Sequence, residues 1–217
     1  KPYRERLERE LRGIKIDPAV AERSDLLRLF RSPQFDRAFP QERMLAALRA
    51  TMEGLGVDAA HQPNVHLDTE ERPGKSPRAF CAPVRIPDVV HLVLRPHGGQ
   101  SDWMTLMHEL GHALHFGNMD RALPFEFRWL GDNSVTEGYA MLFDHRLKDA
   151  GWLTRYTELG RKELPEFLHA QGFEELHFVR RYAAKLIYET ELHGGGIPWD
   201  ALPDLYVDLG ETADALR

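Results

Sequence analysis

Two histidines four residues apart flank a glutamate in His108-Glu109-Leu110-Gly111-His112. On an α-helix, residues at this spacing share one face about a turn apart, so both imidazoles reach the same point in space. Glu109 lies about 100° round the helix from His108, which sets its carboxylate beside that point. Trp103, Leu106, Met107, Leu110, Ala113, Leu114 and Phe116 give the segment a broad apolar surface. The pattern therefore predicts a helix from about Ser101 to Gly117, packed against other elements and carrying a divalent-metal site. Imidazole pairs of this kind suit zinc, with the glutamate placed to take a proton from water. Cobalt and manganese fit the same donors in vitro.

Catalytic zinc takes a third protein ligand and keeps one position open. One class of such sites has a glycine three residues after the second histidine and a ligand six after. Here His115 and Asn118 occupy those positions, which excludes that class. The other common solution is a carboxylate on a second helix. Glu137, twenty-five residues after His112 in Ser134-Val135-Thr136-Glu137-Gly138-Tyr139-Ala140, is the leading candidate. Glu126, Asp132 and Asp144 are alternatives. Ser134 with Glu137 also matches a capping box, a competing use for that carboxylate. Glycine within a helix costs about 1 kcal/mol relative to alanine, so Gly111 predicts a second backbone crossing closely there, with Gly138 as its match.

The rest of the chain supplies the setting. Its 217 residues suffice for a sizeable core, and 42% apolar with 29% charged residues is ordinary for a globular protein. A net charge of −6 gives no general pull on nucleic acid or anionic membrane. The single cysteine, Cys81, excludes an intrachain disulfide and points to a reducing, cytoplasmic setting. No apolar run reaches the roughly 18 to 20 residues that span a bilayer. Lys1-Pro2-Tyr3-Arg4 is neither a signal peptide nor an initiator methionine and reads as the beginning of a fragment.

The first fifty-six residues read as helices. Asp17-Pro18 is read as a helix start, followed by Val20, Leu26, Leu27 and Phe30. Ser32-Pro33 interrupts the pattern, and Pro40 opens a further helix to about Glu53, closed by Gly54 and Gly56. Between 57 and 100 the chain reads as short strands at Val65–Asp68, Ala79–Ala82 and Val89–Leu94. Helices return from 101 to 217. The expected fold is α+β and predominantly helical with a small antiparallel sheet, in one catalytic domain.

With Glu137 at its distance, His108-Glu109-Leu110-Gly111-His112-Ala113-Leu114-His115 resembles the M3 family of zinc peptidases, the thimet oligopeptidase and oligoendopeptidase F group. Leu67-Asp68, Arg72-Pro73-Gly74-Lys75, Ala79-Phe80-Cys81, Asp102 and Thr105-Leu106 add to the resemblance, which covers roughly residues 60 to 195. It implies a zincin-like fold and a gluzincin site with His108, His112 and Glu137 as ligands of one Zn²⁺ and Glu109 as base. It further implies that His177, Tyr182 and Tyr188 bind substrate and stabilise the oxyanion. At Tyr188 the sequence Ala183-Ala184-Lys185-Leu186-Ile187-Tyr188 departs from the family's glycine- and tyrosine-rich pattern.

The implied activity is hydrolysis of short peptides, with the Val89–Leu94 strand either pairing with an extended substrate or serving as a core strand. One alternative is a carboxypeptidase of the M32 type, with Arg180 or Arg181 available for a terminal carboxylate. Another is a zinc- or peptide-binding domain without turnover. His115 is expected to pack and Asp102 to cap its helix. His61, His66, His91, His97, His145, His169 and His193 have no expected role.

Overall fold

The computed structural model describes residues 2–57 and 62–216, so His61 lies outside the described residues. The elements run α1 (Pro2–Gly13), α2 (Arg23–Arg31), α3 (Gln41–Gly54), β1 (Val65–Asp68), β2 (Phe80–Arg85), β3 (Val89–Val93) and α4 (Gln100–Gly117). Then follow α5 (Phe125–Trp129), α6 (Asn133–Asp144), α7 (Ala150–Tyr156), α8 (Glu163–Gly194) and α9 (Leu202–Asp214). The fold is helix-dominated with one small sheet. Two compact units are present: Pro33–Leu164, and Lys1–Ser32 together with Pro165–Arg217.

In the unit Pro33–Leu164, aromatic side chains build the core. Phe39 meets Trp103 edge-on at 5.7 Å, and Trp103 meets Trp152 edge-on at 6.1 Å. Leu106, Leu110, Leu147 and Leu153 are buried with them. The indole N–H of Trp152 donates to Thr51 Oγ1 at 2.9 Å, so the buried ring keeps a polar partner. Pro40 stands at the N-cap of α3 as the sequence predicts.

The sheet has the order β1-β3-β2. The expected antiparallel pairing holds for β2 and β3, while β1 joins β3 in parallel. The strand Val89–Val93 is therefore central, with both edges taken. It is not open to a substrate, and the two edge strands are β1 and β2.

Hydrogen-bond parity settles what the β2 edge displays. Val90 and Leu94 donate their N–H groups to Asn64 O and Asp68 O, at 2.9 and 3.0 Å, so these β3 residues face β1. Pro83 stands opposite Val90 and Cys81 opposite Leu92. Both therefore turn their main-chain groups away from β3, since directions alternate along a strand. A proline fits there because its missing N–H costs no ladder bond.

Beyond β1, Asp68 accepts from Lys75 Nζ at 2.8 Å and from Arg72 at 2.8 and 2.5 Å, which draws the 69–75 loop together. Those bonds, Arg72 first, hold the Asp68 carboxyl well below its usual range.

In the second unit, Tyr3, Leu7 and Leu11 recur every four residues along α1 and form one buried stripe. The stripe packs with Leu26, Phe173 and Leu216. The sequence placed the second helix start at Asp17-Pro18, but α2 begins at Arg23. Asp17 Oδ1 instead accepts from Ala19 N–H at 3.0 Å, closing a turn. The working cap is a reciprocal box between Glu22 and Asp25. Val20 and Leu27, expected on an apolar face, are exposed. Ser32 ends α2 in the left-handed region with φ 47°, and Gly195 with φ 71° follows the end of α8. No helix among the described residues is long and apolar enough to cross a membrane.

Candidate metal centre

The site is built on α4 and α6, which pack at close range inside the unit Pro33–Leu164. Gly111 makes this possible. A Cβ at that position would lie 2.5 Å from Ala140 Cα and 2.5 Å from Tyr139 O. The crossing predicted at Gly111 is present, but its partner is Ala140, since Gly138 has nothing near its missing side chain.

The crossing brings His108, His112 and Glu137 together, with one ligand atom from each lying within 4.8 Å of the others. His108 Nε2 is 3.4 Å from Glu137 Oε2, and His112 Nε2 is 3.8 Å from Glu137 Oε1. Glu137 is not a capping residue: α6 starts from Asp132, whose side chain accepts from Ser134 N–H at 2.8 Å. That leaves the Glu137 carboxylate for the two imidazoles.

Each imidazole is held from behind. His108 Nδ1 lies 2.9 Å from Asp144 Oδ2, and His112 Nδ1 lies 2.8 Å from Thr136 Oγ1. Tying Nδ1 in this way orients each ring and turns Nε2 to the shared point, an arrangement typical of metal-binding histidines. Asp144 also raises the pKa of His108, mainly through its hydrogen bond, whereas burial is the leading cause lowering that of His112. Two oriented imidazoles and one half-exposed carboxylate form a donor set that fits Zn²⁺. Asp144, a ligand candidate by residue type, instead backs a ligand. Its true signal was spacing: it follows Glu137 by seven residues, two turns along the same face.

Glu109 sits on the same helix with its carboxylate turned to the sheet, where Oε2 accepts the N–H of Cys81 at 2.8 Å. His115 stacks on Tyr139 with ring centroids 4.8 Å apart, the expected packing role. Asp102 Oδ2 accepts from His97 and Gly98 N–H at 2.5 and 3.0 Å, fastening the turn that leads into α4.

The remaining predicted residues lie on α8. His177 is buried, with Nδ1 2.7 Å from the Tyr3 hydroxyl and its ring stacked on Phe30 at 4.6 Å. Tyr182 is exposed and tilted against Phe178 at 4.1 Å, with the Lys185 ammonium 5.4 Å from its ring centroid. Tyr188 meets Tyr206 edge-on at 5.1 Å.

Taken together, the described architecture is helix-dominated with one small mixed sheet. Among solved structures it is similar to Trypanosoma cruzi metallocarboxypeptidase 1, with a TM-score of 0.52 and 16% sequence identity. The likeness covers 98% of this chain and 46% of that one, so the chain spans about half the length of the protein it matches. Neither the family models nor the curated proteins compared with this sequence give a match.

Proposed function

We propose that this chain carries the catalytic centre of a zinc-dependent peptidase, and that its action is that of a metallocarboxypeptidase. The observation that carries the first part is the convergence of His108 Nε2, His112 Nε2 and Glu137 on one point, with both Nδ1 atoms already engaged. The second part is supported by the likeness in fold to a protein named as a metallocarboxypeptidase.

His108, His112 and Glu137 would hold the ion. Zinc bound there supplies Lewis acidity, which acidifies water and polarises a carbonyl. The rest is work for the chain's own groups. Glu109 accepts the proton of the attacking water and returns it to the leaving amine nitrogen. Asp144 and Thr136 keep the two imidazoles in register. The outward carbonyls of Cys81 and Pro83 on β2 offer acceptors to the main chain of an extended peptide. On the family resemblance, Tyr182 and Tyr188 are the proposed donors to the developing oxyanion, Tyr182 being the more exposed; His177, buried against Tyr3 and Phe30, is not assigned that step. The single cysteine supports a reducing, cytoplasmic setting.

A second reading, an oligoendopeptidase of the M3 type, is supported by the local sequence from Leu67 to His115 and by the position of Glu137. One experiment separates the two. The zinc-loaded chain is given short peptides with free and with amidated C-termini, Glu109→Gln serves as the blank, and products are read by mass spectrometry. Stepwise loss of C-terminal residues from the free-acid peptides supports the carboxypeptidase reading. Internal cleavage of both sets supports the oligoendopeptidase. No cleavage by a chain shown to hold zinc overturns the peptidase proposal.

A further inference from the structure

We propose that the main-chain N–H of Cys81 is a positioning group for Glu109, so that the edge strand β2 aligns the proposed base. The inference rests on the reading of Glu109 as general base and adds a residue that the motif does not contain.

The parity of the sheet makes this N–H available. Cys81 stands opposite Leu92, in a pair whose main-chain groups point away from each other. An outward N–H on an edge strand normally meets water. This one lies 2.8 Å from Glu109 Oε2. Pro83, the next residue with the same orientation, has no N–H to give. Between residues 81 and 83 the strand thus has one outward donor, and it is spent on the carboxylate one position from His108.

A hydrogen bond from a neutral amide to a carboxylate is about twice as strong as one between neutral groups. It removes rotational freedom from a glutamate side chain that otherwise swings about three bonds. With Oε2 held, Oε1 is the atom left to receive a proton. Alignment within about 0.5 Å is what such a transfer requires. The Cys81 thiol adds no charge beside the base: burial first, and Glu109 second, push its pKa up to about 12. The thiol is therefore a neutral neighbour, and the main chain does the positioning.

Two measurements test the inference on the zinc-loaded chain. The first is amide hydrogen exchange at Cys81, with the inward-facing Ala82 amide as reference. Glu109→Ala should speed exchange at Cys81 by about fivefold or more, the net value of one hydrogen bond, and leave Ala82 unchanged. Equal exchange at Cys81 in both chains overturns the inference. The second compares Cys81→Pro, which deletes the outward N–H without costing a ladder bond, with Cys81→Ala, which keeps it. The proline variant should show kcat at least about tenfold below the alanine variant, with KM within twofold and equal zinc content. Equal kcat values overturn the inference even where peptidase activity is intact. A chain with no peptidase activity at all would sink the functional reading instead, and the exchange result, which needs no turnover, would then decide the contact alone.

Discussion

Each unit holds a histidine close to a carboxylate, and the two end in opposite states. In the unit Pro33–Leu164, His108 is half-buried, bonded through Nδ1 to Asp144 and left with Nε2 facing Glu137. In the other unit, His177 takes the buried Tyr3 hydroxyl on Nδ1, faces Asp214 at 3.8 Å with Nε2, and lies under Phe30. Asp214 is itself occupied, 2.6 Å from Arg23 and 3.6 Å from Arg181. Burial pushes the Tyr3 pKa up to about 12, so its hydroxyl stays protonated and donates. A nearby carboxylate therefore does not make a histidine a metal ligand. What separates the two is the carboxylate: Glu137 faces a second imidazole, His112, whereas Asp214 is paired with Arg23 and Arg181.

Glu137 carries the most weight on the metal side. Glu137→Ala removes the group that His108 and His112 face, and zinc affinity measured against a chelator should fall by more than about 100-fold, beyond the loss typical of an outer partner. Next comes Gly111→Ala. Its new Cβ would meet Ala140 and Tyr139 main-chain atoms at 2.5 Å, forcing α6 off α4. A loss of about 1–3 kcal/mol in chemical unfolding is expected, together with weaker zinc binding. Gly138→Ala, with open space around it, should be neutral or stabilising by up to about 1 kcal/mol. An equal cost at both glycines would refute the close crossing.

Asp144→Asn removes the charge behind His108 and keeps the shape. Zinc affinity should drop about 10–100-fold with the fold intact by circular dichroism. An unchanged affinity would mean that Asp144 does not orient the ligand.

The smallest effect belongs to His177. Burial, the leading cause, and the charges of Arg180, Arg181 and Arg23 lower its pKa below the ordinary 6.5, against the opposing pull of Asp214. The unfolded chain takes up a proton near 6.5, and the folded chain only at lower pH. This histidine's contribution is thus complete above 6.5 and is lost as pH falls below it. Melting temperature should decline by less than about 4 °C between pH 7 and 5.5, and His177→Gln should flatten that decline. An equal slope in the variant would assign the acid sensitivity elsewhere.

Much of the site was legible from residue spacing, because its main parts are local. The four-residue interval of His108 and His112 requires a helix, and the glycine between them signals a crossing. What stayed hidden depends on distant partners. Tyr3 and His177 are 174 residues apart, and no periodicity links them. The apolar run of Val89–Val93 was compatible both with a peptide-binding edge and with a core strand, and the sequence alone did not choose between them. That apolarity is the mark of a central strand with both neighbours present. Asp17-Pro18 misled because an aspartate that starts a helix and one that closes a turn use the same side-chain acceptor. The Glu22–Asp25 box, starting five residues on, settles which use applies.

Pro83 has a consequence for the behaviour of this protein in concentrated solution. An open sheet edge is where chains zip together, each new strand completing the unpaired row of the last. Between residues 81 and 83 of β2 an intruding strand would meet two carbonyls, a proline ring and a carboxylate, with the one outward N–H already given to Glu109. Replacing Pro83 would restore one donor to the row, and with it the beginnings of a template for aggregation.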